Sequence, residues 1–355
     1  MGNRRLLRFL AHVLEEAGEA PGYLIGAVPQ NQKSNVEVGS GRHFVIEGDE
    51  YDTAFFDKKS KFLHYRPHRV LLTSIEFDHA DIFKDYESVE ASFRALLRLI
   101  PREGALIACR DEENVMKVVE ETASKVVTYG FHPLADVRAE SYEFSEKGTS
   151  FELWLGKENQ GKFQTSLIGQ HNLQNTLGVI ACAWESGVSL EVIRKTLLSF
   201  KGMRRRQEVL VKEPFLVLDD FAHHPTAIRV TLEAVRSAYP GRKILAVFEP
   251  RSNTSTRHFF QKEFAQSLSL ADQVFLAPLH REERIPVSER LNLQEIIETV
   301  QGQGSKAVKA VTGTVEFLEK ELQNSVQKKD IILFMSNGAF GNLPHKMAQY
   351  AHHCV

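Results

Sequence analysis

The chain has 355 residues, 43% of them hydrophobic and 25% charged, a length and composition that suit a globular protein with two sizeable cores. Its 44 Lys and Arg stand against 46 Asp and Glu, for a formal charge of −2, so no global field recruits nucleic acid or an anionic membrane, and any polyanionic ligand must be gripped locally. Cys109, Cys182 and Cys354 lie far apart without a C-x-x-C pair, which points away from a disulfide framework or a cysteine zinc site and fits a reducing cytoplasm.

No apolar run approaches the roughly 18 residues of a membrane span. The opening MGNRRLLRFLAHVLEEAG is interrupted by Arg8, His12, Glu15 and Glu16 and does not have the pattern of a signal peptide. Leu6, Leu10, Val13, Leu14 and Ala17 recur there at helical spacing, and Gly18 with Pro21-Gly22 supplies a stop, so the spacing predicts an amphipathic helix that starts without a cap.

RHFVIE and HRVLLTS read as buried strands that run into acidic residues, ESVEASFRALLRLI reads as a helix, and ALIAC as a further strand. That alternation predicts a parallel α/β sheet. From about Val137 to Ser166 the texture changes to alternating segments, FELWLG and KFQTS, around a polar turn, as in a small antiparallel patch. HNLQNTLGVIACAWESG and SLEVIRKTLLSF are predicted helices, and FKGMRRRQEV has the Gly and charge density of a domain entrance. After Arg206, strands are expected at FLVLD, KILAVF, QVFLA, KAVKA and DIILF with helical patterns between them, a second unit of βαβ type.

GKENQGKF, Gly156 to Phe163, matches G-x-x-x-x-G-K, but Phe163 replaces the hydroxyl residue that a phosphate loop needs, and strand sequence flanks the motif on both sides. A hairpin turn is the expectation. The stretch EGDEYDTAFFDKK, Glu47 to Lys59, places five acids within eleven residues after the run HFVI. If its strand and the one before EFDHAD are neighbours in one parallel sheet, Glu47, Glu50, Asp78 and His79 share one edge, where carboxylates and an imidazole suit Mg²⁺ or Mn²⁺. On residue types alone, hydrated strand-end loops are the stronger reading.

GQHNLQN sets His171, Asn172 and Asn175 near a helix start, where amides cap the helix or bond a purine edge, and capping is favoured. MRRRQE offers a guanidinium for a phosphate or a solvated linker. DDFAHHPT, Asp219 to Thr226, ends a buried strand in two acids and two histidines, with Pro225 opening a helix. FEPRSNTSTR repeats that arrangement one strand later, and Arg251, Ser252, Asn253 and Thr254 suit a carboxylate-bearing ligand.

Taken in order, EGDEYDTAFFDKKSKF, EFDHADIF, IGQHNLQN, FKGMRRRQE, LDDFAHHPTAI, FEPRSNT and MSNGAFGN resemble the Mur ligase family, the ATP-dependent amide ligases of peptidoglycan assembly. The extension AFFDKKSKF and FEPRSNT are most similar to the members that join a salvaged murein tripeptide to UDP-N-acetylmuramate during cell-wall recycling. The resemblance implies a central parallel-sheet ATPase-like domain with a small antiparallel patch, at residues 1–200, and a Rossmann-like α/β C-terminal domain at 201–355. It implies Glu47, His79 and Glu50 as Mg²⁺ ligands, Asn172 and Asn175 near adenine, Arg206 on the phosphates and Asp220 on the nucleotide. His223 falls, with Arg251, Ser252, Asn253 and Thr254, where the family binds the incoming amino component, and Arg206 and His223 are the residues expected at the chemistry.

In the family an N-terminal UDP-sugar domain, a strand and the loop GTHGKT precede a helix that MGNRRLLRFLAHVLEEAG resembles. The Lys and Thr of that loop have no counterpart in the 355 residues, and Ser74 stands where Asn is expected. The expectations are therefore weak nucleotide or tripeptide binding with little ligase activity from this chain alone, and a separate N-terminal domain chain as partner. A non-catalytic binding remnant is the alternative, and a metal-dependent hydrolase a more distant one.

Overall fold

The computed structural model describes residues 3–26, 34–76, 82–302 and 309–354. It divides into two compact units between Gly202 and Met203. Among the described residues no helix is long and apolar enough to cross a membrane.

The first unit is organised around a six-stranded sheet in the order Glu158–Thr165, Gly148–Leu155, Val137–Ser145, Lys125–Gly130, Ala105–Cys109 and Arg69–Leu72. The last four strands run parallel and the first three form an antiparallel meander. Every residue of ALIAC is buried, because helices cover both faces. Val89 and Leu97 of the helix Tyr86–Leu97 pack with Leu72, Leu106 and Ala108 on one side. The helix Gln170–Glu185 lies on the other, so close that a Cβ on Gly178 would sit 2.9 Å from the Tyr129 ring and 3.2 Å from Leu71.

The predicted opening helix spans Asn3–Glu16, with Leu6, Phe9, Leu10, Val13 and Leu14 buried and Phe9 stacked on Phe200 at 4.4 Å. Arg8 is buried too, and its charge is met by Glu15 at 3.1 Å and the Tyr23 ring at 4.8 Å. The G-x-x-x-x-G-K match is a hairpin as expected, turning at Gly156 and Lys157 between two paired strands.

The strand Lys125–Gly130 is absent from the sequence reading. Its buried Thr128 and Tyr129 interrupt the apolar pattern, and the Thr128 hydroxyl is satisfied by Asp136 at 2.6 Å, a pairing that periodicity does not reveal. One expectation is corrected. Phe44–Ile46 and Arg69–Leu72 are not neighbours in one sheet, because Phe44–Ile46 pairs with Gly22–Leu24 in a separate three-stranded sheet. The acidic stretch that follows is also more than a loop, since Asp52–Ala54 and Asp57–Ser60 pair as a hairpin.

The second unit holds a six-stranded sheet in the order Glu208–Val211, Leu216–Asp220, Ile331–Met335, Ile244–Phe248, Gln273–Leu276 and Lys309–Thr312. The first strand is antiparallel and the other five are parallel. Their near-continuous apolar sequences reflect burial on both faces. Val217, Val247, Ile332 and Phe334 pack against Leu318, Leu322, Leu343 and Met347 of the helices Val315–Ser325 and Leu343–His353. Phe248 stacks instead on Phe264 of the helix Gln261–Leu268, at 5.3 Å, and Ser267 of that helix bonds Pro225 at the head of Pro225–Ala238. The helices after Leu216–Asp220 and after Ile331–Met335 thus lie on opposite faces, which makes the space between these adjacent strands a topological switch point. Of the predicted KAVKA, residues 306–308 lie outside the described set and the strand is Lys309–Thr312.

Leu333 lies in a central strand at 0% exposure, so Leu333→Ala is expected to remove about 2–5 kcal/mol from the second unit in urea unfolding. Exposed Glu298→Ala, by contrast, should change stability by less than about 0.5 kcal/mol.

Candidate functional site

The candidate residues fall into two clusters, one in each unit. In the first, Glu47 follows the strand Phe44–Ile46 directly, half-buried. Its Oε1 accepts from Arg4 Nε at 2.9 Å and its Oε2 from the Gly26 N–H at 2.8 Å. Glu50 is half-buried three residues on. His79 and Asp78 lie outside the described residues. Carboxylates are the donors that Mg²⁺ takes, but both Glu47 oxygens are engaged within the protein, and among the described residues no group of three His, Cys, Asp or Glu is placed to hold a metal. The described side chains, as they stand, do not make a metal site.

Asn172 is 1% exposed in the first turn of Gln170–Glu185. Its Oδ1 accepts from Arg5 Nη1 at 2.6 Å and its Nδ2 donates to the Ile168 carbonyl at 2.7 Å, so its amide ties two helix starts together from inside. Asn175, one turn on, is 9% exposed. Gln174, between them, donates to Asp111 at 2.9 Å, and Asp111 also receives the N–H groups of Phe131 and His132.

The second cluster is assembled by the parallel ladder. Ser336 N–H donates to the Asp220 carbonyl at 3.1 Å, and Glu249 N–H donates to the Met335 carbonyl at 3.1 Å, so the residues leaving three adjacent strands are aligned along one edge. The Asp220 carboxylate is 4% exposed and accepts from Gln207 N–H at 2.8 Å and Ala222 N–H at 2.7 Å. It thereby pins the arginine turn to the strand end. In that turn Arg205 and Gln207 have φ of 56° and 53°, left-handed values that cost a non-glycine residue roughly 1–2 kcal/mol each. Two strained residues thus bracket Arg206, whose guanidinium lies 5.0 Å from the Phe221 ring centroid.

Arg205 lies over the same ring at 5.3 Å, approaches Asp219 at 3.3 Å and donates to the Ser336 carbonyl. His223 donates from Nδ1 to the Phe221 carbonyl at 2.9 Å, which leaves Nε2 as the proton-accepting nitrogen of the neutral ring. On the next strand end Arg251 Nη1 lies 3.5 Å from Glu249 Oε1, while Ser336 Oγ donates to Glu249 Oε2. Arg251 rests against Gly338, where a Cβ would meet its Cδ at 2.2 Å. Ser252 is held by Ser255, whose buried Oγ accepts from Arg251 N–H, Ser252 N–H and Ser252 Oγ at 3.0, 2.9 and 2.8 Å. Asn253 is exposed and its Oδ1 accepts from Arg257. Thr254 is half-buried in the same turn.

Sequence reasoning thus singled out Arg206, Asp220 and Arg251 but passed over Arg4, Arg5, Arg205, Glu249, Ser255 and Ser336. The motif MSNGAFGN marked the loop that carries Ser336 and Gly338, but no local pattern distinguishes Arg205 from its neighbours.

Residues 27–183 match the Mur ligase middle domain, and residues 205–338 match the family described as Mur ligase, glutamate ligase domain. A UDP-N-acetylmuramate–L-alanyl-gamma-D-glutamyl-meso-2,6-diaminoheptandioate ligase of Escherichia coli is 37% identical over 343 residues, covering 94% of this chain and 70% of that protein. A UDP-N-acetylmuramate–L-alanine ligase of Caldanaerobacter subterraneus is 30% identical, covering 95% of this chain and 71% of that one. Among solved structures, a murein peptide ligase of Psychrobacter arcticus superposes with a TM-score of 0.66 at 29% identity, over 99% of this chain and 75% of its own. The alanine ligase of Thermotoga maritima superposes at 0.80 with 21% identity, over 100% and 74%, which speaks for the fold alone. The chain belongs to the Mur ligase family.

Burial raises the pKa of Asp219 from 3.8 to about 6, with Arg205 opposing the rise and Asp220 and Glu208 adding to it. Between those values the unfolded carboxylate ionises while the folded one stays protonated, so stability is fully present below the lower value and is lost as pH rises through the upper one. Urea unfolding from pH 4 to 7 should therefore show wild type losing stability relative to Asp219→Asn, by roughly 3 kcal/mol in total if the full difference is expressed. Parallel profiles for the two proteins would contradict this assignment.

Proposed function

We propose that this chain supplies the nucleotide and peptide sites of an ATP-dependent amide ligase that joins L-alanyl-γ-D-glutamyl-meso-diaminopimelate to UDP-N-acetylmuramate. The observation that carries the reading is the 37% identity over 343 residues to the Escherichia coli ligase named for that peptide. The alanine ligases of Salinibacter ruber and Caldanaerobacter subterraneus are 34% and 30% identical.

In this reading a lactyl carboxylate oxygen attacks the terminal phosphorus of ATP and ADP departs, which leaves an acyl phosphate. The tripeptide amine then attacks the acyl carbon, and inorganic phosphate leaves from the tetrahedral intermediate. Phosphoryl transfer asks mainly for positioning and for charge opposite the equatorial oxygens. Arg206, held by the strained turn over Phe221, is assigned to that charge, and Asp220 to fixing the turn beside the nucleotide. Asn175 is assigned to the adenine side, with Asn172 positioning the helix start through Arg5 and Ile168. Arg251 takes a peptide carboxylate, with Ser252, Asn253 and Thr254 forming the turn beside it, and His223 Nε2 receives the amine proton.

One observation favours a second reading for the chain by itself, that of a binding protein without turnover: both Glu47 oxygens are engaged, by Arg4 and by the Gly26 N–H. The discriminating experiment is coupled ADP release with ATP, UDP-N-acetylmuramate and either tripeptide or L-alanine, with and without a polypeptide carrying a GTHGKT loop. The chain alone is expected to stay at background. The mixture is expected to favour tripeptide by at least ~10-fold in kcat/KM, since a site built for a second carboxylate leaves its arginine unpaired with alanine. Equal kcat/KM for the two amines would sink the tripeptide assignment, and a silent mixture would leave the binding reading standing. In an active mixture, Arg251→Ala should raise KM for the tripeptide by about 10-fold or more with a smaller change in kcat.

A further inference from the structure

We propose that Arg281 is a second carboxylate anchor for the incoming peptide, set beside Arg251 on the edge of the second unit's sheet and selecting amines that carry more than one acid. The inference rests on the ligase reading of that edge and deepens it by naming how a polyacidic peptide is told from a simple amino acid. The γ-linkage leaves the α-carboxylate of the glutamyl residue free, and the diaminopimelyl residue keeps both of its own. The peptide therefore brings three carboxylates to an edge where Arg251 answers one.

The loop after the strand Gln273–Leu276 is placed by the same ladder that aligns the rest of the edge. Ala277 N–H donates to the Phe248 carbonyl at 2.9 Å, and His280 N–H donates to the Pro250 carbonyl at 3.0 Å. Arg251 and Arg281 each follow a residue of that last bonded pair, so they leave adjacent chains at the same level, where backbones run about 4.8 Å apart. Further on, Leu291 N–H donates to the Thr256 carbonyl at 3.0 Å, and Arg257 and Arg290 form an antiparallel bridge. The loop is thus fastened at both ends to the turn that carries Arg251, and buried Leu279, Ile285 and Leu291 hold it down.

Each acid of the loop already has a cation. Glu282 accepts from Arg290 at 2.9 Å, Glu289 accepts from Arg257 at 3.0 Å, and Glu283 lies 3.8 Å from Arg284. Arg281 is left over: it is exposed and, among the described residues, has no ion pair or side-chain hydrogen bond.

Its backbone makes the choice of residue informative. Arg281 has φ 52° and ψ 44°, left-handed values that glycine adopts freely and that cost a residue with a Cβ. The chain turns there out of the ladder into the short helical turn Glu282–Arg284, a task that needs no side chain. A guanidinium kept at such a position, beside a second one, suits a planar anion met in the complex, since two of its N–H groups match two carboxylate oxygens.

Titration calorimetry of the 355-residue chain tests this with the tripeptide and with three derivatives, each having one carboxylate converted to a carboxamide. Arg281→Gln is expected to weaken tripeptide binding by about 10-fold. For one of the three derivatives wild type and variant should bind alike, because the carboxylate that Arg281 reads is gone. Arg281→Gly is expected to lose the same affinity while melting no lower than wild type, a combination that a merely structural side chain would not give. Arg284→Gln removes the same charge three residues on and should change binding by less than ~2-fold.

Unchanged tripeptide affinity in Arg281→Gln, with wild type binding, would overturn the inference and leave the ligase reading intact. An equal loss for all three derivatives, or an equal loss in Arg284→Gln, would do the same, since either describes a general field and not an anchor. Absence of any tripeptide binding by wild type removes the peptide-site reading, and this inference with it.

Discussion

A parallel sheet buried on both faces must satisfy every peptide group within its own ladder, and polar chemistry is admitted only where the ladder stops. That constraint organises the second unit. Its central strands are apolar until their carboxyl ends, and the ladder runs on for one more step through Ser336 N–H to Asp220 and Glu249 N–H to Met335. Those two bonds align Asp220, Ser336 and Glu249 along a single edge. The arginine turn is then secured to that edge by the Asp220 carboxylate, and Arg251 is steered by Glu249 and by the absence of a side chain at Gly338. The site is thus a consequence of how the sheet ends.

The same constraint explains why the first unit has a cleft. Its two larger sheets each finish on an edge whose partner is not among the described residues, and the first helix lines the gap with Leu6, Leu10 and Leu14. Glu47 and Glu50 stand at the carboxyl end of one of these edges.

Much of the fold was legible because apolar runs bounded by charge and glycine mark strands whatever their neighbours. HRVLLTS, ALIAC, FLVLD, KILAVF and DIILF all became strands, and the opening helix lies where Leu6, Leu10, Val13 and Leu14 placed it. Adjacency was not legible. A period of two assigns faces to a strand and says nothing of which strand lies beside it, so Phe44–Ile46 was paired in expectation with a strand from which a cavity separates it. Lys125–Gly130 escaped because its interior carries Thr128 and Tyr129, acceptable only once Asp136 and close helix packing are in place. In the candidate site, Asp220 and Arg251 were visible as chemistry at strand ends. Ser255, Ser336 and Arg205 were not, since each matters through partners that are close only in the folded chain.

In both clusters nearly every buried polar side chain already has a partner, so a ligand must exchange with an existing contact, and exposure decides which contacts yield. Arg4 and Glu47 are 40% and 22% exposed, and an ion pair in contact with water contributes about 0–1 kcal/mol. That pair is weak by itself, while the Gly26 N–H still holds the other Glu47 oxygen at 2.8 Å. Asp219 is 7% exposed but its partner Arg205 is 30% exposed, so that pair is buried on one side only. Arg205 is held besides by the Ser336 carbonyl and the Phe221 ring, and acts with Asp219 as scaffold. Arg251, 34% exposed and 3.5 Å from Glu249, is more loosely held than Arg205, so a change in its position leaves the strand edge intact.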